Sequence, residues 1–111
     1  MDAELTKSFA FSASYSRAAR SIGVNYTFSV SVPAVDEEAE KELESVVRRE
    51  LISKLHTRDL SEHVDFLKGV EISDEALLRV FWALLAKPLE RYGIRSLSLR
   101  RDGRTVTTLH P

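Results

Sequence analysis

The stretch Asn25-Tyr26-Thr27-Phe28-Ser29-Val30-Ser31-Val32 decides how this chain is read. Tyr26, Phe28, Val30 and Val32 fall on one side of an extended backbone, and Thr27, Ser29 and Ser31 on the other. Side chains along a strand alternate faces, so this is a half-buried strand with an apolar side and a hydroxyl-bearing side. Upstream, Ser8–Ser14 alternates in the same way, with Phe9, Phe11 and Ala13 together, and predicts a second strand. The intervening Tyr15–Val24 reads as a wide loop containing Gly23. Pro33 closes the Asn25 strand, because proline has no N–H to give to a ladder.

Downstream the period changes. Asp36 is placed to cap a helix, and Glu37 and Glu38 follow in its first turn, where the helix dipole favours acids. Leu43, Val47, Leu51 and Leu55 recur every fourth residue, widened by Val46 and Ile52, with Glu, Lys and Arg opposite. This predicts an amphipathic helix lying on a sheet or another helix. A second helix is expected to start at Ser73 as its cap, with Asp74 and Glu75 in the first turn and Ile72 packing onto Leu77. Leu77, Leu78, Phe81, Trp82, Leu84 and Leu85 make it apolar around most of its circumference, so it should be deeply buried. Pro88 kinks or ends it, and Gly93 suits the exit. Leu97 and Leu99 alternate with Ser96 and Ser98, Asp102-Gly103 signals a two-residue turn, and Thr105–Leu109 returns. His56–Glu71 is expected to be a mixed loop with a short helical turn. The order is ββααββ: an α+β chain with an antiparallel four-stranded sheet and two helices on one face. Residues 1–111 are expected to form one domain.

Composition narrows the function classes. Hydrophobic residues make up 43% and charged residues 30%, which supports one ordinary core. A formal net charge of −1 gives no overall field for nucleic acid. The longest apolar run, Val80–Ala86, is too short to span a bilayer. Met1-Asp2-Ala3-Glu4 lacks the basic start of a secretory leader, so the expected location is cytoplasmic, with neither nucleic acid nor membrane as partner. The chain has no cysteine, which removes disulfides, thiolate metal ligands and a cysteine nucleophile. An open sheet leaves edges to be covered, and pairing between copies in a homo-oligomer is one way to cover them.

Four segments, in order, resemble the 6-pyruvoyltetrahydropterin synthase and 6-carboxytetrahydropterin synthase family. Phe11-Ser12-Ala13-Ser14-Tyr15 is similar to Phe-x-Ala-Ala-His, and Ile22-Gly23-Val24-Asn25-Tyr26 to His-Gly-His-Asn-Tyr. Leu55-His56-Thr57-Arg58-Asp59-Leu60-Ser61 is similar to Leu-Asp-His-Arg-x-Leu-Asn, and Ile72-Ser73-Asp74-Glu75-Ala76-Leu77 to Pro-Thr-x-Glu-Asn-Leu. The resemblance spans nearly the whole chain. It implies the tunnelling fold, in which subunits join their sheets into a barrel and ligands bind between subunits, and it implies a zinc-dependent carbon–oxygen lyase acting on a pterin.

The departures fall on the chemistry. The family's zinc histidines align with Tyr15, Ile22 and Val24, and Ile and Val offer no lone pair to a metal. No metal or other cofactor is therefore expected. The catalytic cysteine position falls near Ala18, and the family's Asp-His pair becomes His56 and Thr57. The pterin-anchoring glutamate becomes Arg101, which can only donate hydrogen bonds. Asp102 is adjacent but points to the opposite face unless a bulge intervenes. The candidate ligand-binding residues are thus Ser73, Glu75 and Arg101, with helix capping as an equally simple explanation of Ser73 and Glu75. Arg17, Arg20, Arg95, Arg100, Arg101 and Arg104 either gather into an anion pocket or remain a solvated surface. His56, Asp59 and His63 share a face only if that segment is helical, which its composition does not support.

These residues predict a divergent member that has lost the zinc-dependent lyase chemistry and binds a pterin-like or other small anion between subunits. Two alternatives stay open. One is a metal-independent enzyme of the same fold using Glu75 and Tyr15, with Tyr26 nearby, for acid–base work. The other is a non-catalytic oligomeric scaffold.

Overall fold

The structure, a computed structural model, describes residues 3–33 and 36–111. Met1 and Asp2, on which part of the N-terminal reading rests, lie outside them. Strands β1 (Glu4–Arg17) and β2 (Arg20–Pro33) form a long antiparallel hairpin. Helix α1 (Glu37–Val47) runs through a π-helical turn (Arg48–Ile52) into a last helical turn, α2 (Ser53–Leu55). A connection with one 3-10 turn (Asp65–Leu67) leads to helix α3 (Asp74–Leu85), and β3 (Ser96–Arg101) and β4 (Thr105–Leu109) close the chain. The sheet order is β1-β2-β3-β4, all antiparallel, with both helical segments on one face. This is the α+β ββααββ arrangement expected from the alternation of periods.

The hairpin corrects one expectation. Tyr15–Val24 is not a wide loop: pairing continues to Arg17↔Arg20, and only Ala18 and Ala19 turn the chain. Both have positive φ, 51° and 63°, the shape of a type I′ turn without its usual residues. Gly23 lies inside β2 and is not the turning point. The strands are 14 residues long, and at about 3.4 Å per residue each accounts for the molecule's 48 Å long axis. At the other hairpin, Asp102 and Gly103 do have positive φ, but Arg101 pairs with Thr105, so Arg104 is an extra residue in the connection.

One sheet face is apolar. Phe9, Phe11 and Ala13 of β1 lie beside Val24, Tyr26, Phe28 and Val30 of β2, then Leu97 and Leu99 of β3. The other face carries paired hydroxyls: Thr6 with Ser31 at 2.7 Å and Ser8 with Ser29 at 2.8 Å. Leu43, Val47, Leu51 and Leu55 are all fully buried against the apolar face. A strict four-residue spacing drifts by about 40° per step on a 3.6-residue helix. The wider i→i+5 turn at Arg48–Ile52 takes up that drift and keeps Leu51 and Leu55 on the sheet. Asp36 caps α1 by accepting from the Ala39 N–H at 3.0 Å, and Ser73 caps α3 by accepting from the Ala76 N–H at 3.1 Å, as the sequence predicts. Phe81 of α3 meets Phe28 edge-on, with centroids 5.5 Å apart, and ties this helix to the centre of the sheet. The helix ends at Leu85, before Pro88.

The far half of the β1 edge is covered by residues 56–61. Thr57 N–H donates to Ser12 O at 2.6 Å, Ser14 N–H to Arg58 O at 3.0 Å, and Leu60 N–H to Ser14 O at 2.6 Å. Ser12 N–H donates to His56 Nδ1 at 3.1 Å, and Ser16 N–H to Ser61 Oγ at 3.1 Å. No helix among the described residues is long and apolar enough to cross a membrane.

Candidate functional site

Four elements meet where the helix-covered sheet face reaches the start of α3. The end of β1 brings Tyr15 and Arg17. Register then sets Arg101 directly beside Tyr26 across β2 and β3. The capped start of α3 brings Ile72, Ser73 and Asp74. Together these seven residues line a cleft of about 140 Å³.

Its electrostatics centre on one ion pair. Arg101 Nε donates to Asp74 Oδ2 at 3.1 Å, and the Asp74 side chain is only 13% exposed. The hydrogen bond to Asp74 and its charge raise the Arg101 pKa above its ordinary value. Asp74 sits in the first turn of α3, so the helix dipole stabilises its carboxylate as well. Tyr26 is buried at 2% exposure and stacks on Phe11 with centroids 5.1 Å apart. Burial, then the charges of Asp74 and Tyr15, raise its phenol pKa well above the usual tyrosine range. Arg17 lies over the Tyr15 ring at 5.7 Å and donates a long hydrogen bond, 3.4 Å, to Ile72 O. Tyr15, Arg17 and Ile72 also line a second cavity of about 260 Å³, so the Arg17 side chain stands between the two spaces.

Of the candidate residues, Ser73 and Arg101 line the cleft and Glu75 does not. Glu75 is 65% exposed on the side chain and pairs with Arg79 at 2.9 Å along the outside of α3. The carboxylate inside the cleft is its neighbour Asp74, which the sequence presents only as a first-turn acid. No local pattern joins residue 74 to residue 101; the sheet register does. Asp102 is exposed and turned to the Asn25 backbone, accepting from Asn25 N–H at 3.0 Å and donating through its own N–H to Asn25 O at 2.7 Å. The arginines divide: Arg17 and Arg101 enter the cleft, whereas Arg20, Arg95, Arg100 and Arg104 are exposed and outside it.

Tyr15 pairs directly with Ile22, and Val24 lies two residues along β2 on the same face. The positions aligned with zinc ligands are therefore neighbours in space, and they present one phenol and two hydrocarbon chains. Val24 is 5% exposed and part of the core. This donor set does not fit zinc. Among the described residues no three His, Asp or Glu side chains are grouped to hold a metal. Ala18 sits at the exposed hairpin tip, and His56 and Thr57 lie on the covered edge of β1.

Proton transfer places its own demands on the cleft. A base needs a carboxylate or imidazole free to take a proton. Among the described residues the one carboxylate lining the cleft already receives a guanidinium hydrogen bond, no imidazole lines it, and the buried phenol resists ionisation.

No family model matches the sequence, and no curated protein matches it. Among solved structures, the chain superposes on 6-pyruvoyl tetrahydropterin synthase from Caenorhabditis elegans with a TM-score of 0.71. The match covers 100% of this chain and 96% of that one, at 15% sequence identity. This is the tunnelling fold. At that identity the likeness establishes the architecture alone.

Proposed function

We propose that this chain is a tunnelling-fold protein that binds a small anionic, pterin-like ligand in the Arg17–Asp74–Arg101 cleft, without zinc-dependent lyase chemistry. The observation that carries the reading is the composition of the cleft: two guanidinium groups, of which Arg101 pairs with the mostly buried Asp74 carboxylate and Arg17 lies over Tyr15. Guanidinium forks suit carboxylate or phosphate groups, and a carboxylate suits the amino and ring N–H groups of a pterin. Tyr15, half-buried at the cleft, gives aromatic surface for a flat ring, while Tyr26, stacked on Phe11, lines the cleft from the core side. Ser73 and Arg101 contribute directly; the Ser73 hydroxyl oxygen is shared with the helix cap. The cleft is small and open, so a second copy of the chain is expected to complete it. The N-terminal part of the β1 edge, beyond the segment covered by residues 56–61, offers a place for sheets of neighbouring copies to join.

The test uses purified protein in three measurements: metal content, calorimetric titration with biopterin and with dihydroneopterin triphosphate, and product analysis after prolonged incubation with the latter. The expected result is substoichiometric zinc, saturable binding that weakens in Arg101→Gln, and no conversion. Stoichiometric zinc or turnover overturns the loss of lyase chemistry. A stable oligomer that binds neither pterin overturns ligand binding and leaves the scaffold reading.

A further inference from the structure

A second basic site lies away from the cleft, beside the π-helical turn. Two adjacent cavities of about 300 and 390 Å³ share Ser53 and Arg58. The first adds Lys54, His63 and Phe66, and the second adds Arg48 and His56. Among the described residues Asp65 is the only acid lining either space.

The backbone explains why Arg58 has no counter-charge. The helical rod stops at Leu55, and Thr57 takes a positive φ of 62°, a costly shape for a β-branched residue. That turn sends the chain back along the β1 edge, where Arg58 O accepts from Ser14 N–H. The neighbouring carboxylate, Asp59, is fully engaged elsewhere. Its Oδ1 accepts from Ser61 N–H at 2.9 Å and Glu62 N–H at 3.1 Å, and its Oδ2 from the Ser14 hydroxyl at 3.2 Å. Among the described residues no carboxylate lies within 4.0 Å of the Arg58 or His63 side chains, and Lys54 reaches Glu50 only at 4.0 Å. His56 accepts from Ser12 N–H through Nδ1, which leaves Nε2 as its donor. Arg48 is the exception, held by Glu44 at 3.1 Å.

We infer that this paired groove binds an oligophosphate, a ligand with at least two linked phosphate groups, with Arg58 between them. One phosphate group would sit by Lys54 and His63 and the next by His56, with the unpaired Arg58 guanidinium shared between them. A single phosphate fills one cavity; linked phosphates use both. The same chemistry can come from a free inorganic chain or from the phosphate end of an organic molecule, whose apolar part would lie on Phe66 and Val64.

Calorimetry on the full chain at low ionic strength tests this with two probes, inorganic triphosphate and adenosine diphosphate. Both are expected to bind, more weakly as salt is added, with affinity falling about tenfold or more in Arg58→Gln and severalfold in Lys54→Gln. Equal affinities assign the site to the free anion, and tighter adenosine diphosphate binding assigns it to an organic phosphate; either supports the inference. Lys54 is a 54% exposed side chain, so its variant keeps the test valid if Arg58→Gln folds poorly. Absence of binding to both probes overturns the inference. So does a loss of affinity that follows Arg101→Gln and not Arg58→Gln, which would place the anion in the cleft.

Discussion

Replacing Ala18-Ala19 by Asn-Gly should stabilise the protein. The two alanines carry φ of 51° and 63° and connect strands paired right up to the turn, at Arg17 and Arg20. An L-residue with a Cβ in the left-handed region loses about 1–2 kcal/mol relative to its relaxed shape. Asn tolerates that region better, and Gly is indifferent to it. Against this, Gly adds unfolded-state freedom worth about 0.5–1 kcal/mol. The net expected gain is about 1 kcal/mol. With a urea slope of about 2 kcal/mol/M, the midpoint should rise by about 0.5 M at unchanged slope. The single tryptophan, Trp82, is half-buried on α3 and reports the transition by fluorescence. Both alanines are exposed, so the exchange disturbs no packing. An unchanged or lowered midpoint would mean that the tip is not held left-handed, and the tight hairpin would have to give way to a looser connection.

Two further substitutions probe the cleft. Asp74→Asn removes the partner of Arg101 and a favourable charge at the start of α3. Because Arg101 is 41% exposed, solvent screens the pair and the expected loss is about 1 kcal/mol by urea unfolding; a loss above about 3 kcal/mol would show a far drier ion pair than this geometry describes. Tyr26→Phe should alter only the alkaline limb of stability. The folded state raises the phenol pKa, so its neutral form is favoured, stability is intact below the unfolded value of about 10, and it declines as pH rises above that. Urea midpoints measured across that range should decline less in Tyr26→Phe than in the parent, and parallel declines would remove the phenol as the cause.

What could be read in advance follows from how local each signal is. The alternation at Asn25–Val32, the caps Asp36 and Ser73, and the Leu43–Leu55 stripe need only neighbouring residues, and the structure reproduces them. The hairpin tip was illegible because Ala-Ala carries no turn preference; its shape is imposed by the long ladder on either side. Gly23 misled for the same reason, since a glycine inside a paired strand looks in sequence like a glycine in a loop. The π-helical turn was implied by a spacing of four where an α-helix needs 3.6, a mismatch visible only once the stripe is required to stay on one face. Nothing local marks Asp74, whose ion-pair partner is 27 positions away. Motif similarity points to Glu75, yet one step around a helix turns a side chain by about 100°, enough to leave the cleft.

The charges in the cleft bear on the choice between a binding protein and a bare scaffold. Arg101 is neutralised by Asp74, but Arg17 has only a tyrosine face and one long contact to a carbonyl oxygen. An exposed guanidinium keeps its hydration and needs nothing more. If a second copy covered the cleft as proposed, that hydration would be lost, and an uncompensated charge in a low-dielectric boundary is strongly destabilising. Assembly across this site would therefore require a negative group against Arg17, from a ligand or from the neighbouring copy's own side chains. A scaffold would keep the same assembly strength whatever small anions are present, because its counter-charge is covalently part of the chain. A binding protein would gain stability by mass action as its ligand is added. Coupling between assembly and a soluble anion is thus the physical property that separates the two readings, and Arg17 is the residue through which it would act.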